Sequence, residues 1–224
     1  MLRMIDSFRH IFEEKKIELS TPNVVQTLSV EELKEIVPQH DGWIIGDDPA
    51  TREVFEAGKA GIFKAAVKWG IGVDNVDFDA CKDLNIPIIN TPDMFGGEVA
   101  DIAVGYVIAL ARETFEIDRA VRGGEWIKPR GISLSGKKVA LVGFGHIGQS
   151  TAKRLLALDL DIIAYDPFAK NNLSMPEVER EVWPTRIEEA DFIVVTCALT
   201  KSSFHMVNAD IFKRAKDGIR VVNV

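Results

Sequence analysis

The sequence predicts an α/β fold built from two units, each with a parallel sheet covered by helices. Short apolar runs alternate along the chain with segments of helical periodicity, which is the order of elements in a parallel sheet. The predicted strands are apolar on both faces, as buried parallel strands are. One of these strands runs directly into a glycine-rich turn. The 224 residues fit one large domain or two modest ones.

The N-terminal part of the chain is predicted to contain two helices with a strand between them. Apolar residues at helical spacing predict a helix over the first sixteen residues, and KIELSTP is predicted to be a short strand that ends at Pro22. SVEE, residues 29–32, has the spacing of a capping box. A helix is therefore predicted to begin there and to end at Pro38.

Three more strands complete the predicted first unit. DGWIIG is predicted to be a strand, and Asp48 followed by Pro49 is predicted to cap and open a helix that continues to about Gly58. FKAAVKW and IPIIN are the next predicted strands, with another helix between them. The change of motif after IPIIN places the boundary of the unit near residue 95.

The second unit is predicted to begin with a long helix from about Glu98 to Arg122. Four apolar runs follow as predicted strands, separated by helical stretches: KVALVG, DIIAYD, FIVVTC and IRVVNV. The predicted units are therefore residues 1–95 and residues 96–224.

Composition excludes several classes of protein. The formal net charge of −7 disfavours nucleic acid as a partner, because binding to the phosphate backbone requires a cationic surface. No apolar run reaches the roughly 18 residues that a membrane helix needs. The N-terminus carries charged residues where a signal peptide has an apolar core, which favours a cytoplasmic location. Cys81 and Cys197 lie far apart and outside any metal-binding spacing, so we interpret both as ordinary thiols and expect no metal.

KVALVGFGHIGQS, residues 138–150, predicts a dinucleotide site of the Rossmann type. Gly143, Gly145 and Gly148 have the G-x-G-x-x-G spacing at the junction of a strand and a helix. The first glycine permits the tight turn, the second lets a pyrophosphate approach the backbone, and the third lets helix and strand pack closely. The amides of His146 and Ile147 are then expected to point at the phosphates.

Asp166 strengthens this prediction because it ends the next strand, eighteen positions after Gly148. A carboxylate at that place accepts hydrogen bonds from the ribose hydroxyls of the adenosine. It also repels the additional phosphate of NADP, so the predicted cofactor is NAD. Lys170 is the one nearby cation that would favour NADP, and a solvated side chain is the simpler interpretation of it.

Three motifs together resemble the D-isomer-specific 2-hydroxyacid dehydrogenases, and within them the D-3-phosphoglycerate dehydrogenase-like group. They are KWGIGVDNVD at 68–77, NTPDMFGGEVAD at 90–101 and GFGHIGQS with the following YDP. The resemblance covers nearly the whole chain. It implies a Rossmann-type doubly wound NAD domain, here incomplete, beside a smaller flavodoxin-like substrate domain, with the active site in the cleft between them.

The resemblance also implies a set of binding residues. The backbone of Gly70, Ile71 and Gly72 is expected to grip the carboxylate of a small 2-hydroxy or 2-oxo acid, with Ile71 also near the nicotinamide. Lys68 matches a basic position of phosphoglycerate dehydrogenases, which suggests an anionic substrate; a solvent-exposed lysine at a strand end is the alternative. Cys197 and Val224 are expected near the cofactor, and a small apolar strand-end group is the alternative for Cys197.

The catalytic Arg, Glu and His of the family are expected beyond Val224, so no catalytic residue is assigned within the chain. The chain also opens in a helix where relatives open with a strand, and it is therefore expected to be truncated at both ends and inactive; a natural short form that relies on a partner is the alternative. No substitute base is predicted, because His10, His40, His146 and His205 lack a paired carboxylate at a convincing spacing.

The predicted function is that of an NAD-dependent oxidoreductase acting on the CH–OH group of a D-2-hydroxy acid. The alternative is a non-catalytic NAD-binding regulator of the corepressor type, which uses the same fold. An NAD domain of the adenosylhomocysteinase type would lack GIGVDNVD. The resemblance further implies a homodimer through the NAD domain, formed by the long helix from Glu98 and the loop around Trp126. The identity of the 2-hydroxy acid is left open.

Overall fold

The computed structural model describes residues 2–169 and 175–224. The chain divides into two compact units, Met1–Pro92 and Asp93–Val224. Lys170, considered above as a cofactor-selecting cation, lies outside the described residues.

The first unit contains a three-stranded parallel sheet. Its strands are β1 (Gly42–Ile45), β2 (Ala65–Lys68) and β3 (Ile88–Asn90), in the order β1-β2-β3. Its helices are α1 (Arg9–Glu14), α2 (Val30–Ile36), α3 (Arg52–Ala60) and α4 (Phe78–Asp83), with 3-10 turns at Leu2–Ser7 and Val37–Gln39. Side chains from α2, α3 and α4 form one apolar core with the sheet.

The predicted start of α2 is confirmed. The Ser29 hydroxyl accepts a hydrogen bond from the amide of Glu32, and the Glu32 carboxylate accepts one from the amide of Ser29 at 2.8 Å. Two amides that a helix start leaves without partners are thereby satisfied.

Three local predictions for this unit are wrong. The N-terminal helix is split into the 3-10 turn and α1, and α1 buries no residue, so packing does little to hold one continuous helix. KIELSTP forms no strand, because no neighbour pairs with it among the described residues. Asp48 does not cap α3; its carboxylate accepts from the amide of Leu28 at 2.9 Å, and Thr51 occupies the cap position.

The second unit is a five-stranded parallel sheet with helices on both faces. The strand order β6-β5-β4-β7-β8 reverses direction at the central β4, which makes the sheet doubly wound as predicted. The strands are β4 (Lys138–Val142), β5 (Asp161–Tyr165), β6 (Glu179–Arg180), β7 (Phe192–Val195) and β8 (Arg220–Asn223). The helices are α5 (Gly96–Arg112), α6 (Thr114–Arg122), α7 (His146–Leu156) and α8 (Ala209–Arg214).

Two apolar cores cover this sheet, one on each face. The first includes side chains of α5 and α7, and the second includes Ile211 of α8 and Ile187 of a 3-10 turn. Both faces of the central strands are therefore buried, which explains why these strands are continuously apolar in sequence.

The prediction of one long helix from Glu98 to Arg122 is wrong in one respect, because this segment forms two helices, α5 and α6. Glu113 lies between them in the left-handed region with φ of 56°. The carbonyl of Ala111 accepts from the amide of Ile132 at 2.7 Å instead of continuing the helical ladder. A contact with the following loop thus ends α5 without a glycine or proline.

An ion network ties β4 and β6 to the segment before β7. Arg186 donates to both Glu179 and Glu189, and Lys138 also donates to Glu189. These hydrogen bonds lower the pKa of Glu189 from 4.5 to about 2. A carboxyl whose pKa is lowered by folding stabilises the folded state above its unfolded pKa, and that contribution is lost as the pH falls from 4.5 towards 2.

Replacing Glu189 with glutamine should therefore flatten the loss of stability on acidification. The parent should lose unfolding free energy more steeply than Glu189→Gln as the pH falls from about 5 towards 3, because only the parent must protonate this paired carboxylate. Urea unfolding followed by circular dichroism over that range measures the difference. Glu177→Gln, at an exposed position, is the matched control; equal slopes for all three proteins would contradict the assignment.

Neither a membrane-spanning helix nor a metal-binding cluster occurs among the described residues. None of the helices in that part of the chain is long and apolar enough to cross a membrane. No cluster of three or more His, Cys, Asp or Glu side chains suited to a metal ion occurs there either.

Candidate functional site

The glycine-rich turn follows β4 directly, and two of its glycines are required by packing within the chain. Gly143 has a φ of 94°, and a Cβ atom built on it would lie 2.6 Å from the backbone nitrogen of Cys197. A Cβ on Gly148 would lie 2.2 Å from the carbonyl oxygen of Gly143. The Thr196 hydroxyl donates to that same carbonyl at 2.9 Å. The turn is therefore held tightly between α7 and the end of β7.

Gly145 differs from its two neighbours in the motif. It is the cap residue of α7 with a φ of −74°, and a Cβ built on it would meet no atom of the chain within 4 Å. Nothing inside the described chain explains a glycine here, whereas close approach of a ligand to the backbone would.

The first turn of α7 supplies the remaining features of an anion site. His146 is its first residue and Ile147 its second, so their amides lack acceptors one turn earlier in the helix. The helix has 11 residues, and its dipole favours negative charge at this end. The sequence-predicted residues Gly145, His146 and Ile147 therefore present open backbone together.

Asp166 faces this turn. Its Oδ2 accepts from the amide of Phe144 at 2.7 Å, and its Oδ1 accepts from the amides of Phe168 and Ala169 at 2.8 and 3.1 Å. These bonds fix the carboxylate at the carboxyl ends of β4 and β5. An ionised carboxylate has about four acceptor positions, so capacity remains for a ribose hydroxyl.

The position of Phe144 was not predicted from the sequence. Its ring is fully buried in the core, and the guanidinium of Arg180 stacks over it at 4.0 Å from the ring centroid. Phe144 thus anchors the turn from below while its amide holds Asp166. Arg180 belongs to the two-residue strand β6, which is too short to give a period-2 signal in sequence.

Cys197 and Val224 lie at the same carboxyl edge as Asp166. The Cys197 thiol donates to the sulfur of Met206 at 3.8 Å and packs against an apolar core, and burial raises its pKa. This environment suits the alternative interpretation, a small apolar group at a strand end. The amide of Val224 donates to the carbonyl of Val195 at 3.2 Å, directly after β8.

His146 has a carboxylate neighbour that sequence spacing did not reveal. Its Nδ1 lies 3.9 Å from Asp93 Oδ1. Its ring also lies so close to Gly96 that a Cβ there would be 2.4 Å from Nδ1. Asp93 and His146 are 53 positions apart in the sequence. The one sequence feature that could have indicated their contact is Gly96, the glycine at the first residue of α5.

The GIG loop of the first unit offers two open amides, one fewer than predicted. Gly70 has a φ of 147°, which favours glycine, but its amide donates to the Thr91 hydroxyl at 2.9 Å. Asn90 donates to the carbonyl of Ile71 at 3.4 Å. The amides of Ile71 and Gly72 find no acceptor within the described part of the chain. Those two amides remain available for a carboxylate.

Lys68 is buried, so the solvent-exposed interpretation of this residue is wrong. Only 4% of the residue is exposed, and its ammonium donates to the carbonyl of Gly46 at 2.5 Å. The exposed carboxylate of Asp47 lies 3.5 Å away. A Cβ on Gly70 would be 3.8 Å from the ammonium nitrogen, which places this buried cation beside the GIG loop.

Two polar residues of GIGVDNVD have structural roles. Asn75 donates to the carbonyls of Gly46 and Asp48 at 3.1 and 2.7 Å, which joins the loop after β1 to the loop after β2. Asp77 caps α4 by accepting from the amide of Ala80 at 2.7 Å. This part of the motif therefore positions the loops.

The other three histidines show no catalytic pairing among the described residues. His10 lies on α1 and is exposed. The Nδ1 of His40 is 3.0 Å from the carbonyl of Ile36, and the ring of His205 stacks on Phe204 with centroids 3.8 Å apart. The prediction that no histidine here has a positioned carboxylate thus needs correction only for His146.

Comparison with known proteins places the chain among dehydrogenases. Residues 104–224, more than half of the chain, match the sequence family described as "D-isomer specific 2-hydroxyacid dehydrogenase, NAD binding domain". The hydroxypyruvate reductase of Thermotoga maritima is 38% identical over 199 residues, which are 88% of this chain and 64% of the reductase. The D-3-phosphoglycerate dehydrogenase of Archaeoglobus fulgidus is 32% identical over 88% of this chain and 38% of its own length.

A solved structure supports the same family relationship as the sequence relatives. The apo-structure of D-lactate dehydrogenase from Escherichia coli has a TM-score of 0.81 at 26% identity, covering 96% of this chain and 68% of that one. The chain thus spans about two thirds or less of these three proteins. It belongs to the D-isomer-specific 2-hydroxyacid dehydrogenase family, and its second unit is an NAD-binding domain.

Proposed function

We propose that the protein is an NAD-dependent oxidoreductase acting on the CH–OH group of a D-2-hydroxy acid. The observation that carries the proposal is the junction at β4. Gly145 leaves open space in front of the first amides of α7, and Asp166 is held at the same turn by three amides. Together they form a cradle for a pyrophosphate and an acceptor for a ribose, which are the polar parts of an adenine dinucleotide.

In this proposal residues 1–95 bind the substrate and residues 96–224 bind the cofactor. The amides of Ile71 and Gly72 donate to the substrate carboxylate. Lys68 adds a positive charge from beneath the loop, where burial strengthens its attraction to an anion. Two amides and a nearby ammonium can bind the carboxylate of many small acids. The names of relatives that act on hydroxypyruvate or D-3-phosphoglycerate therefore do not identify the substrate of this protein.

Bound NAD supplies the hydride acceptor for C2 of the hydroxy acid. Removal of the hydroxyl proton requires a base, and we infer that none of the four histidines provides it. His40 and His205 are engaged in local contacts, His10 is on an exposed helix, and His146 belongs to the proposed phosphate turn. We therefore propose that the chain binds cofactor and substrate anion with little or no turnover.

The second candidate function is a non-catalytic NAD-binding regulator. It shares the cofactor cradle and agrees with the lack of a positioned base. It leaves the buried Lys68 only its hydrogen bond to Gly46 and gives no ligand to the Ile71 and Gly72 amides beside it, since a regulator has no need to bind a 2-oxo acid. Binding of such an acid distinguishes the two functions.

The protein is further proposed to be a cytoplasmic homodimer that associates through its second unit. Ile102, Tyr106 and Leu110 repeat every four residues along α5 and are exposed, and the Tyr106 ring pairs with that of the exposed Phe115 at 6.2 Å. Trp126, in the following loop, is also exposed. An apolar stripe of this kind is typical of an interface between subunits. Both cysteines are free, which agrees with a reducing compartment.

Asp166→Asn should weaken NADH binding about tenfold, the usual size of one hydrogen bond to a charged group. Titration of the protein with NADH, followed by nucleotide fluorescence, gives the dissociation constant. Asp161→Asn is the matched control, because Asp161 begins the same strand at the opposite edge of the sheet. Equal affinity of the Asp166 and Asp161 variants would refute the cofactor site.

The same titration tests the substrate half of the proposal. If a ternary complex forms, glyoxylate or hydroxypyruvate should tighten NADH binding to the parent protein or change the fluorescence of the bound NADH. The effect should be reduced in Lys68→Met, which keeps the length of the side chain and removes its charge. If no 2-oxo acid changes the NADH fluorescence signal, the result would favour the non-catalytic regulator.

A further inference from the structure

The loop after β1 brings a carboxylate to the cation beside the GIG loop. Asp47 Oδ1 lies 3.5 Å from the ammonium nitrogen of Lys68. The carbonyl of Gly46 accepts from Lys68 at 2.5 Å and from the side-chain amide of Asn75 at 3.1 Å. These two hydrogen bonds fix the backbone directly before Asp47, so the fold itself holds the carboxylate close to the ammonium.

A second carboxylate lies beside the GIG loop itself. A Cβ built on Gly72 would be 3.5 Å from Asp74 Oδ1, and a Cβ built on Gly70 would be 3.8 Å from the ammonium nitrogen of Lys68. Lys68, Asp47 and Asp74 thus place an ammonium and two carboxylates next to the loop. The ammonium and the open amides of the loop can hold one negative charge, whereas an additional negative charge on the same ligand meets like charge.

We propose that Asp47 restricts the protein to 2-hydroxy or 2-oxo acids that carry a single negative charge. In the proposed function, on which this restriction rests, the amides of Ile71 and Gly72 and the charge of Lys68 bind the substrate carboxylate. Asp47 offsets part of the charge of Lys68. One carboxylate is therefore attracted, while an acid that also carries a phosphate is repelled. Selection between similar ligands commonly uses such a built-in repulsive group.

A phosphate close to the bound carboxylate would be repelled strongly by Asp47. A phosphate monoester carries a charge of about −1.5 to −2 at neutral pH. In 3-phosphohydroxypyruvate the phosphate lies only a few bonds from the carboxylate, so it stays near the loop when that carboxylate is bound. Like charges several ångströms apart in partly solvated surroundings weaken binding by roughly tenfold. Hydroxypyruvate has a hydroxyl in place of the phosphate and does not experience this repulsion.

A second Asp–Lys pair, at the opposite edge of the same sheet, provides a matched control. Asp41 precedes β1 and Lys64 precedes β2, and the ammonium of Lys64 lies 2.5 Å from Asp41 Oδ1. Asp47 and Lys68 lie at the other ends of these two strands. Strands of this length separate the two pairs by about 13 Å, beyond the range of most charge effects in salt solution. An effect on ligand charge should therefore appear only at Asp47.

Calorimetric titration of the full chain with hydroxypyruvate and with 3-phosphohydroxypyruvate tests the proposal. NAD is kept at a fixed concentration, and because it is the oxidised cofactor, no hydride is transferred to either acid. The parent should bind the phosphorylated acid about tenfold more weakly than hydroxypyruvate. In Asp47→Asn the two affinities should become nearly equal, and in Asp41→Asn their ratio should stay at the parent value. Charges elsewhere in the protein act equally on all three proteins.

Added salt tests the charge effect without a substitution, because screening should narrow the ratio in the parent and leave that of Asp47→Asn nearly unchanged. The role of Asp47 would be overturned if the parent binds both acids equally, or if Asp47→Asn changes both affinities by the same factor. Binding of hydroxypyruvate to the parent would in that case still support the substrate site. If neither acid binds the parent, the substrate site is refuted and the restriction with it.

Discussion

Gly145→Val is expected to abolish NADH binding while leaving the fold intact. A side chain at this position meets no atom of the protein within 4 Å, and the φ of −74° is open to any residue. The valine would instead occupy the space that a pyrophosphate needs to reach the amides of His146 and Ile147. The dissociation constant should rise about 100-fold or more, which corresponds to a loss of at least about 2.7 kcal/mol.

A graded series makes this expectation specific. Gly145→Ala should weaken binding less than Gly145→Val, because the smaller group leaves more room for the phosphates. NADH fluorescence titration gives the affinities, and thermal unfolding should show midpoints within a few degrees of the parent for both variants. If the valine variant binds NADH like the parent, the pyrophosphate does not lie at this turn. If it fails to fold, the open space in front of Gly145 has been misjudged.

Features that depend on strong local periodicity were predicted correctly from the sequence. The alternation of apolar strands with helices gave the parallel sheets, and SVEE gave the start of α2. The errors occur where a distant contact decides the local structure. Glu113 ends α5 because the Ala111 carbonyl bonds to Ile132, and Asp48 leaves its expected cap position to bond to Leu28. Neither partner is visible in a window of neighbouring residues.

In the candidate site, too, some features could be predicted from the sequence and others could not. The spacing of Gly143, Gly145 and Gly148 was sufficient to locate the turn, because Gly143 and Gly148 answer fixed steric demands of a strand-to-helix junction and Gly145 leaves open the space that a ligand would approach. The distribution of hydrogen bonds was not predictable. The Gly70 amide is taken by Thr91, and the Lys68 ammonium is buried on Gly46, through loops that meet only when three strands align. Which groups remain free for a ligand is a property of tertiary structure.

Gly148→Ala should have the opposite effect from substitutions at Gly145 and destabilise the second unit. The new Cβ would lie 2.2 Å from the carbonyl oxygen of Gly143 and 3.1 Å from the hydroxyl of Thr196. The nearer atom is backbone, held by the end of β4, so it cannot move aside as a side-chain tip would. Overpacking of this kind costs about 1–3 kcal/mol or more, which should lower the midpoint of thermal unfolding by roughly 5–10 °C.

Calorimetry of the parent, Gly145→Ala and Gly148→Ala separates the steric role of the motif from its role in binding. The same methyl group is added in both variants, three positions apart, so the change in composition is identical. Helix propensity acts against the expected difference, because alanine is favoured over glycine inside the helix, at residue 148, and disfavoured at the cap position, residue 145. A large drop for Gly148→Ala beside an unchanged midpoint for Gly145→Ala is the expected pattern. Equal midpoints would mean that α7 can move away from β4 at little cost. In that case the third glycine, like the second, would have to be explained by the ligand.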